Sequence, residues 1–313
     1  MRMTPVINKP SKWARVRRSL RNNYMLYLFL LPAIAYVAVF CYAPMYGIQI
    51  AFKNFKASKG IIGSPWVGLK HFESFFTSYR FTLLLTNTLA VSLYQMVVGF
   101  PMPIILALLF NYVKYPWLKK FAQTVSYAPH FISTVVIVGM MNMFFSTTTG
   151  FVNTAMAALG MNKINFFGDA KYFRHLYVWS GVWQNMGWSA VIYIATLAGV
   201  DQEQHEAAII DGATIVKRMW HVDLPALAPT IVILLIMTAG SVMSVGYEKV
   251  FLMQNSTNLT TSEVISTYTY KIGLQQAQYS YSAAIGLFNN VINFIMLILV
   301  NGITRKLSGM ALW

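Results

Sequence analysis

Six long apolar stretches decide what this chain can fold into. A helix crosses the hydrocarbon core of a bilayer in about 20 mostly apolar residues. The stretches 24–46, 81–110, 121–145, 176–200, 226–253 and 283–303 all have that length. The second carries Pro101 and Pro103, so it is either a kinked span or a span followed by a short helix. The first is too long for the apolar core of a signal peptide, and no small-x-small cleavage site follows it. Composition points the same way. The chain is 57% apolar and 11% charged, against about 45–50% and 25% in a soluble domain. Its 21 Phe, 18 Tyr, 8 Trp and 18 Met exclude a disordered chain. A single cysteine, Cys41, excludes an internal disulfide and a cysteine-rich metal site. The expected fold is an all-α integral membrane protein with about six transmembrane helices.

Lysine and arginine set the expected orientation. Arg2, Lys9, Lys12, Arg15, Arg17, Arg18 and Arg21 precede the first stretch, so residues 1–23 read as a basic cytoplasmic tail. Residues 24–313 then form a single transmembrane domain with its 111–120 and 201–225 loops inside. This arrangement puts 14 Lys and Arg inside and 10 outside. Lys53, Lys56, Lys59, Lys70 and Arg80 fall in one outer loop against Glu73 alone, and Lys163, Lys171 and Arg174 in another against Asp169. Such a face is either a solvated rim or one that steers an anionic ligand or an acidic partner.

Five of the nine acids, Asp201, Glu203, Glu206, Asp211 and Asp223, crowd into the inner loop 201–225. Asp201 is a natural helix N-cap, with Gln204 at the capping-box spacing. Ala207 and Ala208 make a smooth face that a partner can approach closely. Gly212 suits a left-handed C-cap, and Pro225 suits the start of the next span. The loop therefore reads as a short helix beside the membrane.

Glu206-Ala207-Ala208, then Gly212, then Val222, Leu224 and Pro225 resembles, at every spacing, the signature loop of ABC importer permeases, with Val222 where isoleucine is usual. Asp211-Gly212-Ala213 is similar to a common variant of it. Tyr127-Ala-Pro-His-Phe-Ile-Ser133 resembles a segment of carbohydrate permeases. Val245-Gly-Tyr-Glu-Lys-Val-Phe251, Val264-Ile-Ser-Thr-Tyr268 and Gly286-Leu-Phe-Asn-Asn-Val-Ile-Asn293 look like the LplB-type branch of the maltose-type group. The resemblance runs from about residue 24 to Trp313. It implies a second homologous permease in a heterodimer, two cytoplasmic ATPase subunits and an extracellular or periplasmic solute-binding protein. It also implies a bacterial cytoplasmic-membrane location and a loop that acts as a coupling helix in a cleft of the ATPase. ATP and magnesium would then sit in the ATPase subunits and no cofactor in this chain.

The residues agree with that division of labour. The sequence has no phosphate-cradling Gly-x-x-x-x-Gly-Lys-Ser/Thr loop, no His-Glu-x-x-His metal motif and no Gly-x-Ser-x-Gly elbow. No catalytic, metal-binding or nucleic-acid role is expected, and the five histidines read as structural. Polar and aromatic residues inside spans line a path or join helices. Trp179 and Trp183 share one helix face, and Gln184 and Trp188 another. Trp183, Gln184, Asn185 and Trp188 suit a sugar, whose C–H faces stack on indoles while amides bond its hydroxyls. Glu248 and the asparagines Asn289, Asn290 and Asn293 are further candidates, each equally suited to holding helices together. The expected cargo is an oligosaccharide, with acidic pectin- or alginate-type fragments favoured by the basic outer loops and a neutral glycan as the alternative. A secondary transporter or a channel would leave the signature loop unexplained.

Overall fold

The computed structural model describes Trp13 and residues 19–313, so the expected basic tail lies mostly outside the described residues. Among these residues everything regular is helical except one antiparallel bridge between Lys53 and Trp66. The chain forms two compact units, Met1–Val67 and Gly68–Trp313.

The first unit is built on α1 (Tyr24–Phe52). It is α-helical to Tyr36, loosens into a π-turn over Val37–Tyr42 and tightens into a 3₁₀ helix over Ala43–Phe52. The chain then doubles back: Phe52 stacks on Trp66 with ring centres 5.7 Å apart, and Lys53 Nζ donates to the Ile61 carbonyl at 2.8 Å.

The second unit runs α2 (Lys70–Phe76), α3 (Phe81–Asn111), α4 (Pro116–Tyr127), α5 (Thr134–Phe144), α6 (Phe151–Ala158), α7 (Ala170–Leu197), α8 (Gln202–Ile210), α9 (Ile215–Ala239), α10 (Tyr247–Met253), α11 (Leu259–Ser262), α12 (Ile265–Tyr270) and α13 (Tyr279–Ser308). Among the described residues α1, α3, α9 and α13 are long and apolar enough to cross a membrane, and α4 with α5 adds a fifth, broken span. The 28 residues of α7 make it about 42 Å long. Its tryptophans, glutamine and asparagine make it less apolar than the other four. Those four helices, the broken pair and α7 correspond to the six stretches expected.

Three expectations need correction. The third span is not straight: α4 and α5 meet at 99° across a 3₁₀ turn, Ala128–Phe131, that contains Pro129. The Tyr127–Ser133 motif is this bend, and Ser133 caps the helix that leaves it. The fifth span does not reach residue 253. It stops at Ala239, the chain opens over 240–246, and α10 is a separate helix. The Asn293 amide on α13 satisfies the freed backbone: Oδ1 accepts from the Met243 N–H at 2.8 Å, and Nδ2 donates to Ser244 Oγ at 2.8 Å. An opened backbone at membrane depth survives only with such partners. That span also begins early. α9 is already helical at Ile215 and passes through a π-turn, Met219–Asp223, just before Pro225.

The core lies along α7. Phe173, Tyr177, Val178 and Val182 are buried with Val91, Ile137, Val250 and Val264. Lower down, Ala190, Tyr193 and Leu197 are buried with Ala107, Leu108 and Leu227. Gly187 lets α4 pass so close that any Cβ at this position would collide with the Ser126 carbonyl. A separate cluster of Phe75, Leu84, Met243, Ile265 and Ile285 joins α2, α3, α12 and α13.

One buried acid ties these elements together. Glu263 takes Arg80 Nη1 at 2.8 Å and Lys271 Nζ at 3.6 Å. Asn87 donates to its carbonyl at 3.1 Å and accepts from Arg174 Nη2 at 2.9 Å. Three of the outward cations counted from the sequence are thus structural.

Candidate functional site

The chemistry-bearing residues fall at two places along α7. The first is just past its C-terminus. Asp201 caps α8 by accepting from the Glu203 N–H at 3.0 Å. This Asx-type cap replaces the expected capping box, because Gln204 contributes its backbone N–H, which bonds the Asp201 carbonyl. At the other end Gly212 sits at φ 73°, and Ala213 N–H and Gly212 N–H reach back to the Ala208 and Ile209 carbonyls at 2.9 and 3.0 Å. This is a Schellman C-cap. Glu206, Ala207, Asp211 and Gly212 are exposed, as are Ile209, Ile210, Ile215, Val216 and Trp220, with Ile210 85% accessible. An acidic tip with apolar flanks is left uncovered, as a docking element would be.

The loop is anchored from beneath by Asp223, which is fully buried. Its carboxylate accepts from Tyr112 Oη at 2.6 Å and Asn111 Nδ2 at 3.2 Å, and His205 Nε2 on α8 lies 3.4 Å away. Burial, and then the bond to Asp223, pushes the Tyr112 hydroxyl well above its ordinary pKa, so it remains a donor. Arg218 lies over the Tyr112 ring at 5.2 Å. Val222 and Leu224 flank Asp223 at the root of α9, with Pro225 exposed beside them. Through His205 the short helix is held to the ends of both α3 and α9.

The second place is the middle of α7. Gln184 Nε2 donates to the Ile132 carbonyl at 3.1 Å, Asn185 Oδ1 accepts from His130 Nδ1 at 3.0 Å, and Trp188 stacks on the His130 ring at 4.9 Å and 3°. These three residues clamp the bend between α4 and α5. Trp183 points elsewhere: with Trp179 it lines an apolar groove of about 500 Å³ beside Ile137, Met140, Met141 and Phe144.

On the other side of α7, α3, α9 and residues 241–245 enclose a cleft of about 410 Å³. Its polar lining is Ser92, Gln95, Asn185, Ser189, Tyr193, Thr238, Ser241 and Ser244, and none of its lining side chains is charged. Asn185 alone of the sequence candidates lies on it. Asn293 serves the break in α9 instead; Asn289 is half-buried and Asn290 exposed on α13. Glu248 is exposed and forms no ion pair among the described residues; the acids that join helices are Glu263 and Asp223.

Residues 99–309 match the family described as binding-protein-dependent transport system inner membrane component. The chain belongs to this family. Among relatives of this inner membrane component is the polygalacturonan/rhamnogalacturonan transport system permease protein YteP of Bacillus subtilis (strain 168), 42% identical over 96% of this chain and 94% of its own. Protein LplB of the same strain is 42% identical over 92% and 91%. The permease also superposes, with a TM-score of 0.87 and 34% identity over 95% of its length and 100% of the other, on a chain of the bacterial alginate ABC transporter solved in complex with alginate pentasaccharide-bound periplasmic protein. Its fold is that of an ABC importer permease.

Sequence reasoning overlooked two groups in this permease. The Asp223 anchor was visible only as one more acid in an acidic loop, and its partners lie 111 and 112 positions away. The serines and threonine of the cleft carried no pattern that marks them out from the many others in apolar helices.

Proposed function

We propose that this permease is the membrane-spanning subunit of an ATP-driven importer that moves oligosaccharides, acidic ones such as pectin or alginate fragments included, by alternating access. One observation carries the reading: a single helix, α7, forms the wall of an uncharged, hydroxyl- and amide-lined cleft and leads directly into an exposed, doubly capped helix. A cleft of that kind suits sugar hydroxyls. The exposed helix suits a partner that delivers force. In this reading Glu206, Ala207, Ala208, Asp211 and Gly212 meet the ATPase, while Val222, Leu224 and Pro225 root the loop. Two ATPase subunits on the cytoplasmic side hold ATP and magnesium. A second permease completes the path, and a solute-binding protein delivers cargo from outside. The N-terminal tail is cytoplasmic and the chain lies in the bacterial cytoplasmic membrane. The pectin-type and alginate transporters to which the permease is similar support an acidic cargo. The absence of charge from the cleft lining favours a second reading, a neutral oligosaccharide.

Affinity purification of the tagged permease from its native membrane, with mass spectrometry of what accompanies it, tests the proposal. An ATPase, a second permease and a binding protein are expected, and in proteoliposomes the set should take up oligogalacturonate with ATP. Recovery of the permease alone, in a detergent that keeps other importers whole, would overturn it.

A further inference from the structure

Lys249 is a cation placed behind the cleft wall and takes no part in the Glu263 network. It sits on α10, half-buried. Its ammonium donates to the Tyr177 carbonyl at 3.3 Å and lies over the Tyr177 ring at 5.2 Å. No carboxylate among the described residues comes within 4.0 Å of it. An ammonium has three donors, so this one keeps unused capacity in a place where an unpaired charge is poorly solvated. It lies against Gly181 of the cleft wall. A Cβ there would stand 3.5 Å from Nζ, and any larger side chain would cover the ammonium. Gly181 and Val245, four residues before Lys249, both line the cleft, and that lining is otherwise neutral. Discrimination between a uronate and its uncharged ester therefore needs a group set just behind the lining.

We infer that Lys249, whose Nζ lies directly behind Gly181 of the cleft wall, is the specificity residue that receives a cargo carboxylate at the cleft. The inference rests on the oligosaccharide-import reading. A charge-assisted hydrogen bond of this kind is worth about tenfold or more in binding.

The test uses the full complex in proteoliposomes with two probes, trigalacturonate and its methyl ester, the uptake of each expressed relative to the wild-type complex so that the preference of the binding protein cancels. Lys249→Met is expected to lower the ratio of acidic to ester uptake about tenfold, and Lys249→Arg to restore most of it. If Lys249→Met does not assemble, Gly181→Ala decides, because its methyl fits at ordinary contact distance and shields the ammonium; it should lower the same ratio. An unchanged ratio, or equal losses for both probes, would overturn the assignment of Lys249 while leaving oligosaccharide import intact. A wild-type complex that moves neither probe would overturn the import reading and the assignment with it.

Discussion

Gly212 and Asp223 shape the acidic loop, and they do so by different physics. Gly212 is needed for its backbone: at φ 73° a side chain is strained, although nothing lies within 4 Å of where a Cβ would stand. Gly212→Asp should therefore leave insertion intact while placing a charge in the space that a partner would fill. Co-purification of the ATPase is expected to fall by about tenfold, equivalent to ~1.4 kcal/mol; full retention would argue against the coupling role. Asp223 is needed for its charge. Asp223→Asn keeps the shape but weakens the bonds from Tyr112 and Asn111, and bonds to charged groups contribute about 1.5–3 kcal/mol. A lower thermal midpoint, together with faster proteolysis in 201–215, is the expected result. At this scale the sequence was half legible. Gly212 stood out because a left-handed cap selects glycine, whereas the burial of Asp223 depends on a helix end more than 100 positions away.

Helices were the more legible level where the bilayer dictates them and less so where tertiary contacts end them. About 20 apolar residues are required for a span whatever the fold, so α1, α3 and α13 fell close to their expected limits. The stretch 240–253 is less apolar than the span before it, with Ser241, Ser244, Glu248 and Lys249 among its valines and methionines, and the opened backbone there is held by the amide of Asn293, 50 residues on. Asn293→Leu leaves the Met243 N–H without an acceptor, at a cost of about 1–3 kcal/mol. The expected signature is lower thermal stability and raised amide exchange confined to 240–246. An unchanged exchange pattern would mean that the break is held by other contacts. The bend at 128–133 was likewise hidden, since Pro129 announces a break but not the partners Gln184, Asn185 and Trp188 that set its direction.

Across the whole molecule, α7 links the two candidate places. Gly181 and Leu197 are separated by roughly 25 Å of continuous helix, and the loop anchored by Asp223 follows at once. In the proposed reading, a stiff rod with a cleft at its middle and the exposed α8 at its end would transmit motion without any long-range rearrangement of side chains. The family was legible from the signature loop alone, because so many fixed positions over about 20 residues seldom coincide. Cargo was not, because the residues around the cleft are ordinary ones in an unusual place.

The exposed apolar residues Ile209, Ile210, Val216 and Trp220 have a further bearing, on the life of the subunit in the cell. If α8 docks a cytoplasmic ATPase as proposed, a copy made without that partner would present the kind of adhesive patch that membrane proteases survey. Its abundance should then be set by the supply of ATPase rather than by its own synthesis. In pulse–chase labelling, the half-life of the permease expressed alone is expected to be several-fold shorter than when it is co-expressed with that partner. Ile210→Asp, which removes part of the patch, should lengthen the life of the solitary copy while shortening that of the assembled one.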